Sequence, residues 1–183
     1  MYKQKEMTGN TPTDRISQIL EAQRKYFRSG ATLEISFRKE MLKKLKDSLI
    51  RWEKPLCDAL WQDLHKSYEE SYMTELSIVS SEIRCHLKNL SRWSGRRRRH
   101  TPLKLFPSRS YIVKEPLGNA LIVSPWNYPV QLLLAPLVGA ISAGCTAILK
   151  PSPYVPNVSK VLGDMLEDTF PEEYAAVVQG NRE

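Results

Sequence analysis

The chain has 183 residues and 21.0 kDa, the size of one domain or at most one and a half, and 42% of it is hydrophobic and 26% charged. That balance excludes a wholly disordered chain, and the length suffices to bury a core without staples. Lys plus Arg is 27 against 20 acidic residues, a formal charge of +7, and four of the positives are consecutive at Arg96–Arg99, which read most simply as a solvated connecting segment.

In chain order, Met1 to Asn10 contain no apolar stretch and therefore no secretory signal. From Thr13 the pattern is helical: Ile16, Ile19, Leu20 and Phe27 share a stripe, and Gly30 stands where a C-terminal cap is expected. A second helical run spaces Phe37, Met41, Leu45, Leu49 and Trp52 by threes and fours. Pro55 is expected as the first residue of a third helix carrying Leu56, Leu60, Trp61 and Leu64. A fourth run holds Tyr72, Leu76, Val79, Ile83, Leu87 and Leu90, too short a seam for a coiled coil and better suited to a helical layer on a larger body.

After Gly95 to Pro102 the grammar changes. Tyr111–Lys114 predicts a short strand, and the apolar run Asn119–Ser124, between Gly118 and Pro125, predicts a strand buried on both faces. A helix is expected from Pro129 to Ala143, a second buried strand over Thr146–Lys150, a helix capped by Asn157, and a last strand over Ala175–Val178. Strands alternating with helices imply parallel pairing, here one half of a doubly wound nucleotide-binding sheet. The fold class is therefore α/β: an N-terminal helical layer plus the first half of a Rossmann-like parallel sheet. Ligands of such sheets sit beyond the carboxyl ends of the strands, which directs attention to Ser124–Tyr128 and Lys150–Tyr154.

Cys57, Cys85 and Cys145 are odd in number and lack metal-ligand spacing, so neither a disulfide framework nor a zinc site is expected, and a reducing cytoplasm suits them. The longest apolar stretch, Val130–Ala143, is interrupted by Gln131, Pro136, Gly139 and Ser142 and is too short to span a bilayer.

Two segments could carry chemistry. In Ser124-Pro125-Trp126-Asn127-Tyr128-Pro129 an immobilised Asn carboxamide offers uncharged N–H donors, the requirement for stabilising a developing oxyanion. Taken alone, the segment reads more simply as a rigid turn whose aromatics pack and whose Asn satisfies backbone groups. Lys150 ends a hydrophobic strand, where it serves either as a donor to a nucleotide's ribose or phosphate or as a lysine reaching out to water, with nothing in the residues to choose between them. No G-x-G-x-x-G and no P-loop is present, so glycine motifs support no dinucleotide assignment.

The ordered set Glu115-Pro-Leu-Gly118, Pro125-Trp-Asn-Tyr-Pro129, Gly139-Ala-Ile-Ser-Ala-Gly144 and Leu149-Lys-Pro-Ser152 closely resembles the N-terminal half of the coenzyme domain of the aldehyde dehydrogenase superfamily. Asp63-Leu-His-Lys66 and the Tyr72 run are similar to its class 3 branch. The resemblance implies an incomplete coenzyme-binding domain divided as residues 1–100, a helical segment packed on that domain; 101–118, a linker and a strand toward an oligomerisation sheet; and 119–183, a partial NAD(P)-binding domain. It further implies that Asn127 forms half of the oxyanion hole, and that Val123, Ser124, Pro125 and Trp126 face the coenzyme. Lys150 is implied to hydrogen-bond the adenosine ribose with Ser152 beside it, and Gly180 to let a loop approach the adenine. The implied reaction is NAD(P)+-dependent oxidation of an aldehyde to a carboxylic acid, through a cysteine thiolate adduct and a thioester that water hydrolyses. A homodimer is implied for the complete protein, with neither nucleic acid nor a membrane span.

Two departures follow from the same resemblance. Pro153 stands where many relatives carry a glutamate that repels a 2′-phosphate, so strict NAD preference is not implied and the coenzyme is NAD or NADP. The nucleophilic Cys, the activating Glu and the glycine-rich helix of the family lie beyond Glu183, and Cys57, Cys85 and Cys145 are expected in helical stripes or a buried strand rather than as nucleophiles. His65, His86 and His100 fit surface or helix positions. The chain alone is therefore expected to be inactive. Its alternatives are a non-catalytic coenzyme-domain or oligomerisation fragment and, further off, a basic nucleic-acid binder built on Arg96–Arg99, which lacks interleaved aromatics.

Overall fold

A first helix, α1 (Thr13–Arg28), turns Ile19 and Gln23 inward and ends before Gly30, whose φ of +78° is a left-handed conformation that a side chain would strain. The computed structural model describes residues 9–181; segment 1–8, which carries most of the argument against a secretory signal, and residues 182–183 lie outside the described residues. Buried Gln23 donates from Nε2 to the carbonyls of Ala147 (2.9 Å) and Glu172 (3.1 Å), pinning α1 to the sheet. Helix α2 (Ile35–Arg51) buries Met41, Leu42, Leu45 and Leu49, as its periodicity requires. Helix α3 (Glu53–Leu64) follows almost without pause; Pro55 falls in its first turn rather than at its first position, which costs little because first-turn N–H groups have no intrahelical acceptor.

The fourth helical run is interrupted where the sequence pattern predicts continuity. It comprises α4 (Tyr68–Ser71), a π turn (Tyr72–Leu76) and α5 (Ser77–Trp93). The wider turn, closed by the Ser77 N–H on the Tyr72 carbonyl, rotates Tyr72 out to 43% exposure while Leu76, Val79, Ile83 and Leu90 stay buried. Trp61 likewise leaves its expected stripe and lies exposed, its ring tilted by 34° against that of His65 at 5.4 Å between centroids.

Arg97–Arg99, expected as a solvated connection, forms a strand (β1) antiparallel to β2 (Ser110–Ile112), with Arg98 opposite Tyr111. The ladder explains the difference: strand geometry is imposed by a partner that local composition does not announce. This ribbon joins residues on both sides of the expected boundary at residue 100.

The main sheet is parallel, in the order β3 (Asn119–Val123), β4 (Thr146–Lys150), β5 (Ala175–Val177), with α6 (Gln131–Ala143) and α7 (Pro156–Thr169) as crossovers. Ile122, Ala147 and Leu149 join the large core formed with α2, α3, α5, α6 and α7; Ile148 and Ala176 meet Ile19 of α1 in a smaller cluster on the other face. Thr146 to Leu149 of β4 are buried throughout, as expected. β3 is not buried on both faces: Leu121 is 70% and Val123 60% exposed, because α1 covers its side of the sheet only in part. Asn157 does not cap α7. Val155 holds that position with Pro156 first in the helix, and Asn157 instead donates from Nδ2 to Asp63 Oδ1 (2.8 Å). Asp63 Oδ2 accepts the N–H of Val158 (2.9 Å), so α3 supplies the carboxylate that α7 needs at its N-terminus.

Candidate active site

The carboxyl ends of the strands stand side by side: the Ser124 N–H donates to the Lys150 carbonyl (3.1 Å) and the Val178 N–H to that of Leu149 (2.9 Å). Beside them opens a cleft of about 640 Å³ lined by Leu121, Val123, Ile148, Lys150 and Gly180, with Leu20 of α1 opposite. Lys150 is partly buried, which lowers its pKa below the ordinary lysine range. Its Nζ donates to the carbonyl of adjacent Pro151 (3.3 Å) and pairs with no carboxylate among the described residues. An ammonium has three donors, so capacity remains for hydroxyl or phosphate oxygens in the cleft.

The turn after β3 is held from outside the sheet. Lys66, buried just beyond α3, donates from Nζ to the Asn127 carbonyl (2.9 Å) and to Glu75 Oε1 (2.7 Å), and lies 4.0 Å from the centroid of the Tyr128 ring. Glu75, fully buried by the π turn, accepts the N–H groups of Val130 (2.8 Å) and Gln131 (3.2 Å) on Oε2. One carboxylate thus neutralises the lysine and caps α6, satisfying first-turn donors and the positive end of the helix dipole. The Asn127 backbone is fixed by this arrangement. Its exposed carboxamide makes no hydrogen bond with the described residues, so both N–H donors are free.

Of the residues singled out from the sequence, Val123, Lys150 and Gly180 are brought together in the cleft. Pro125, Trp126 and Asn127 form the adjoining exposed turn. Ser124 is buried, with an Oγ that has no hydrogen-bond partner among the described residues. Ser152, expected beside the coenzyme, is turned inward: its Oγ accepts the Tyr154 N–H (3.4 Å) and its carbonyl the Ser159 hydroxyl (2.6 Å). Burial pushes the Cys57 thiol up to about 11, opposite to what a nucleophile needs, and Cys145 is buried as well. Cys85 is exposed, not in a buried stripe, because it lies on the outer face of α5. His86 bridges Glu82 (3.0 Å) and Ser142 (2.5 Å) between α5 and α6. Among the described residues no group of three His, Cys, Asp or Glu could hold a metal, and no helix is long and apolar enough to cross a membrane.

The positioning roles of Lys66, Glu75 and Asp63 are what sequence reasoning missed, although Asp63 and Lys66 stand in the motif similar to the class 3 branch. A signal existed for one of them: Glu75 stands four residues before Val79 and eight before Ile83, a carboxylate on an apolar helix face.

The aldehyde dehydrogenase family matches this sequence over residues 6–183. The chain belongs to the aldehyde dehydrogenase family. It is 44% identical over 168 residues to 4,4'-diaponeurosporen-aldehyde dehydrogenase of Staphylococcus aureus, covering 92% of this chain and 37% of that protein. It is 40% identical over 167 residues to human aldehyde dehydrogenase family 3 member B1, covering 91% and 36%. The substrate-bound structure of S. aureus AldH superposes with a TM-score of 0.89 at 43% identity, over 91% of this chain and 36% of that one. The family 3 relatives agree with the class 3 resemblance drawn from Asp63–Lys66. The chain spans little more than a third of the length of these relatives, so the α/β body is a partial aldehyde dehydrogenase domain.

Proposed function

We propose that this chain supplies the oxyanion donor and part of the coenzyme cleft of an NAD(P)+-dependent aldehyde dehydrogenase, which oxidises an aldehyde to a carboxylic acid. The observation that carries the proposal is the Asn127 turn: a buried ion pair immobilises its backbone while its carboxamide bonds to none of the described residues. A donor aimed in advance at developing charge costs no reorganisation during reaction, which is why such groups are worth about 10²–10³ in rate.

The cleft residues suit a dinucleotide. Lys150 pairs with no carboxylate among the described residues, and Leu121, Val123 and Ile148 offer an apolar wall to a planar ring. Held by these residues, NAD or NADP would supply the hydride acceptor for the aldehyde carbon. Lys150 holds ribose hydroxyls, Val123, Ser124, Pro125 and Trp126 form the wall and rigid turn beside the coenzyme, and Ser152 shapes the turn that carries Lys150. Gly180 keeps the loop close to the cleft, since a Cβ there would stand 3.2 Å from Asn10 Oδ1. Pro153 brings no carboxylate to repel a 2′-phosphate, so both coenzymes are accepted. We further read residues 1–100 as the helical segment, 101–118 as the linker and strand toward a homodimer sheet, and 119–183 as the partial coenzyme domain, in a cytoplasmic enzyme.

The test is a chimera in which this chain replaces the matching third of the S. aureus dehydrogenase, assayed for NAD(P)H formation. Asn127→Ala should lower kcat about 10²–10³-fold with little change in KM, and Lys150→Met should raise the KM for coenzyme. Full turnover by Asn127→Ala overturns the proposal, and strict NAD selectivity overturns its NADP part. The chain alone should give no turnover.

A further inference from the structure

We infer that the buried Lys66–Glu75 pair serves catalysis rather than stability: both are positioning residues that aim the Asn127 carboxamide at the developing oxyanion. This role rests on the reading of Asn127 as the oxyanion donor and extends it into the helical layer. A side-chain amide is aimed only if the backbone on both sides of it is fixed. Upstream of Asn127, the Ser124 N–H is bonded to the Lys150 carbonyl (3.1 Å) and Pro125 restricts φ. Downstream, the Lys66 ammonium meets Glu75 Oε1 (2.7 Å), the Asn127 carbonyl (2.9 Å) and the Tyr128 ring (4.0 Å to its centroid), as many groups as it has donors. Glu75 Oε2 then holds the N–H groups of Val130 (2.8 Å) and Gln131 (3.2 Å), with Pro129 between the two grips.

Stability does not call for charges at this place. Desolvation of a buried ion pair cancels much of its attraction, and well-packed apolar side chains of similar volume commonly replace one without loss. Apolar side chains make no directional bonds, however, and cannot fix the orientation of a carbonyl and two N–H groups. A displacement of about 1 Å in a reacting geometry costs about 10²-fold in rate, so orientation bears on turnover far more than on folding. The π turn that carries Glu75 inward fits the same role, since such turns are frequent at functional sites. Lys66 and Glu75 are both buried and hold groups of their own chain, so the device rests on no exposed face.

The experiment separates the two roles in the chimera with the S. aureus dehydrogenase. Lys66→Met with Glu75→Leu removes both charges together and should recover most of the urea stability that Glu75→Leu alone loses. Its kcat should nevertheless fall about 10–100-fold, with the coenzyme KM within about twofold. In the Asn127→Ala background the same two changes should alter kcat by less than about threefold, because the group being aimed is gone. Asp63→Ala, which loosens α7 instead, should leave kcat within about twofold. If the double variant fails to fold, Lys66→Met alone, in which Glu75 keeps its α6 N–H groups, carries the same expectations for kcat and KM. Recovery of kcat together with stability overturns the inference, as does an equal fall in both Asn127 backgrounds or a coenzyme KM that rises as kcat falls. Full turnover by Asn127→Ala is the separate result that removes the reading of the donor itself, and this role with it.

Discussion

The turns that leave β3 and β4 stand side by side, yet they are held by different physics. After β4, Pro151, Pro153 and Pro156 restrict the chain and its own hydroxyls close the loop, Ser159 onto the Ser152 carbonyl and Ser152 onto the Tyr154 N–H. After β3, stiffness arrives from elsewhere: Lys66 and Glu75, on the helical layer, hold the Asn127 carbonyl and the first turn of α6. A turn fixed by local covalent and hydroxyl constraints needs outside help only at the start of the helix that follows it, where Asp63 accepts the Val158 N–H. A turn that must leave its carboxamide free cannot spend that group on its own stability, so its positioning is delegated to a buried charge pair. The helical layer is therefore more than a cover. It places a carboxylate at each crossover N-terminus, Glu75 on α6 and Asp63 on α7, the position at which an open helix N-terminus binds an anion.

The largest expected effect breaks the β3 side. Glu75→Leu leaves the Lys66 ammonium buried without its counter-charge and strips the cap from α6, which should cost about 3–5 kcal/mol in urea unfolding. Adding Lys66→Met should restore most of that loss, because the double variant leaves no charge stranded. A loss under about 1 kcal/mol for Glu75→Leu, or losses that simply add, would mean that the turn is not held by this pair.

The next effect tests the contribution of the layer to the other crossover. Asp63→Ala should lose the α7 cap and the Asn157 contact, destabilising by about 1 kcal/mol. Because α6 and α7 are capped separately, the combination with Glu75→Leu should be additive within about 0.5 kcal/mol. Strong coupling would point to one shared network in place of two local devices.

These contrasts explain what the sequence could reveal. β4 is legible to the residue because an apolar run bounded by Gly144 and Pro151 is a local signal, and the order of strands and helices follows from the same kind of punctuation. The Lys66–Glu75–Val130 arrangement joins residues 9 and 55 apart in sequence, and no periodicity encodes such a meeting. The π turn that buries Glu75 and exposes Tyr72 is one residue wider than the pattern assumes. Arg97–Arg99 has poor strand composition and is extended only because Ser110–Ile112 pairs with it. Leu121 and Val123 look buried in sequence, since how far a neighbouring helix reaches over a strand is not written in the strand. The resemblance singles out Asn127, Lys150 and Gly180, of which Lys150 and Gly180 line one cleft, and it says nothing of the buried pair that holds the Asn127 carbonyl.

The smallest expected effect sharpens the β4 side. Ser152 is buried beside Lys150, and its side chain contributes one long hydrogen bond of 3.4 Å to the Tyr154 N–H. Ser152→Ala keeps the Cβ and the backbone carbonyl that receives Ser159, so unfolding should shift by less than about 0.5 kcal/mol. If the hydroxyl only builds the turn, coenzyme KM in the chimera should also stay within about twofold, while Lys150→Met raises it. A substantial rise in coenzyme KM with unchanged stability would instead assign Ser152 to the coenzyme, and the two turns would then be alike in using a side chain for chemistry as well as for shape.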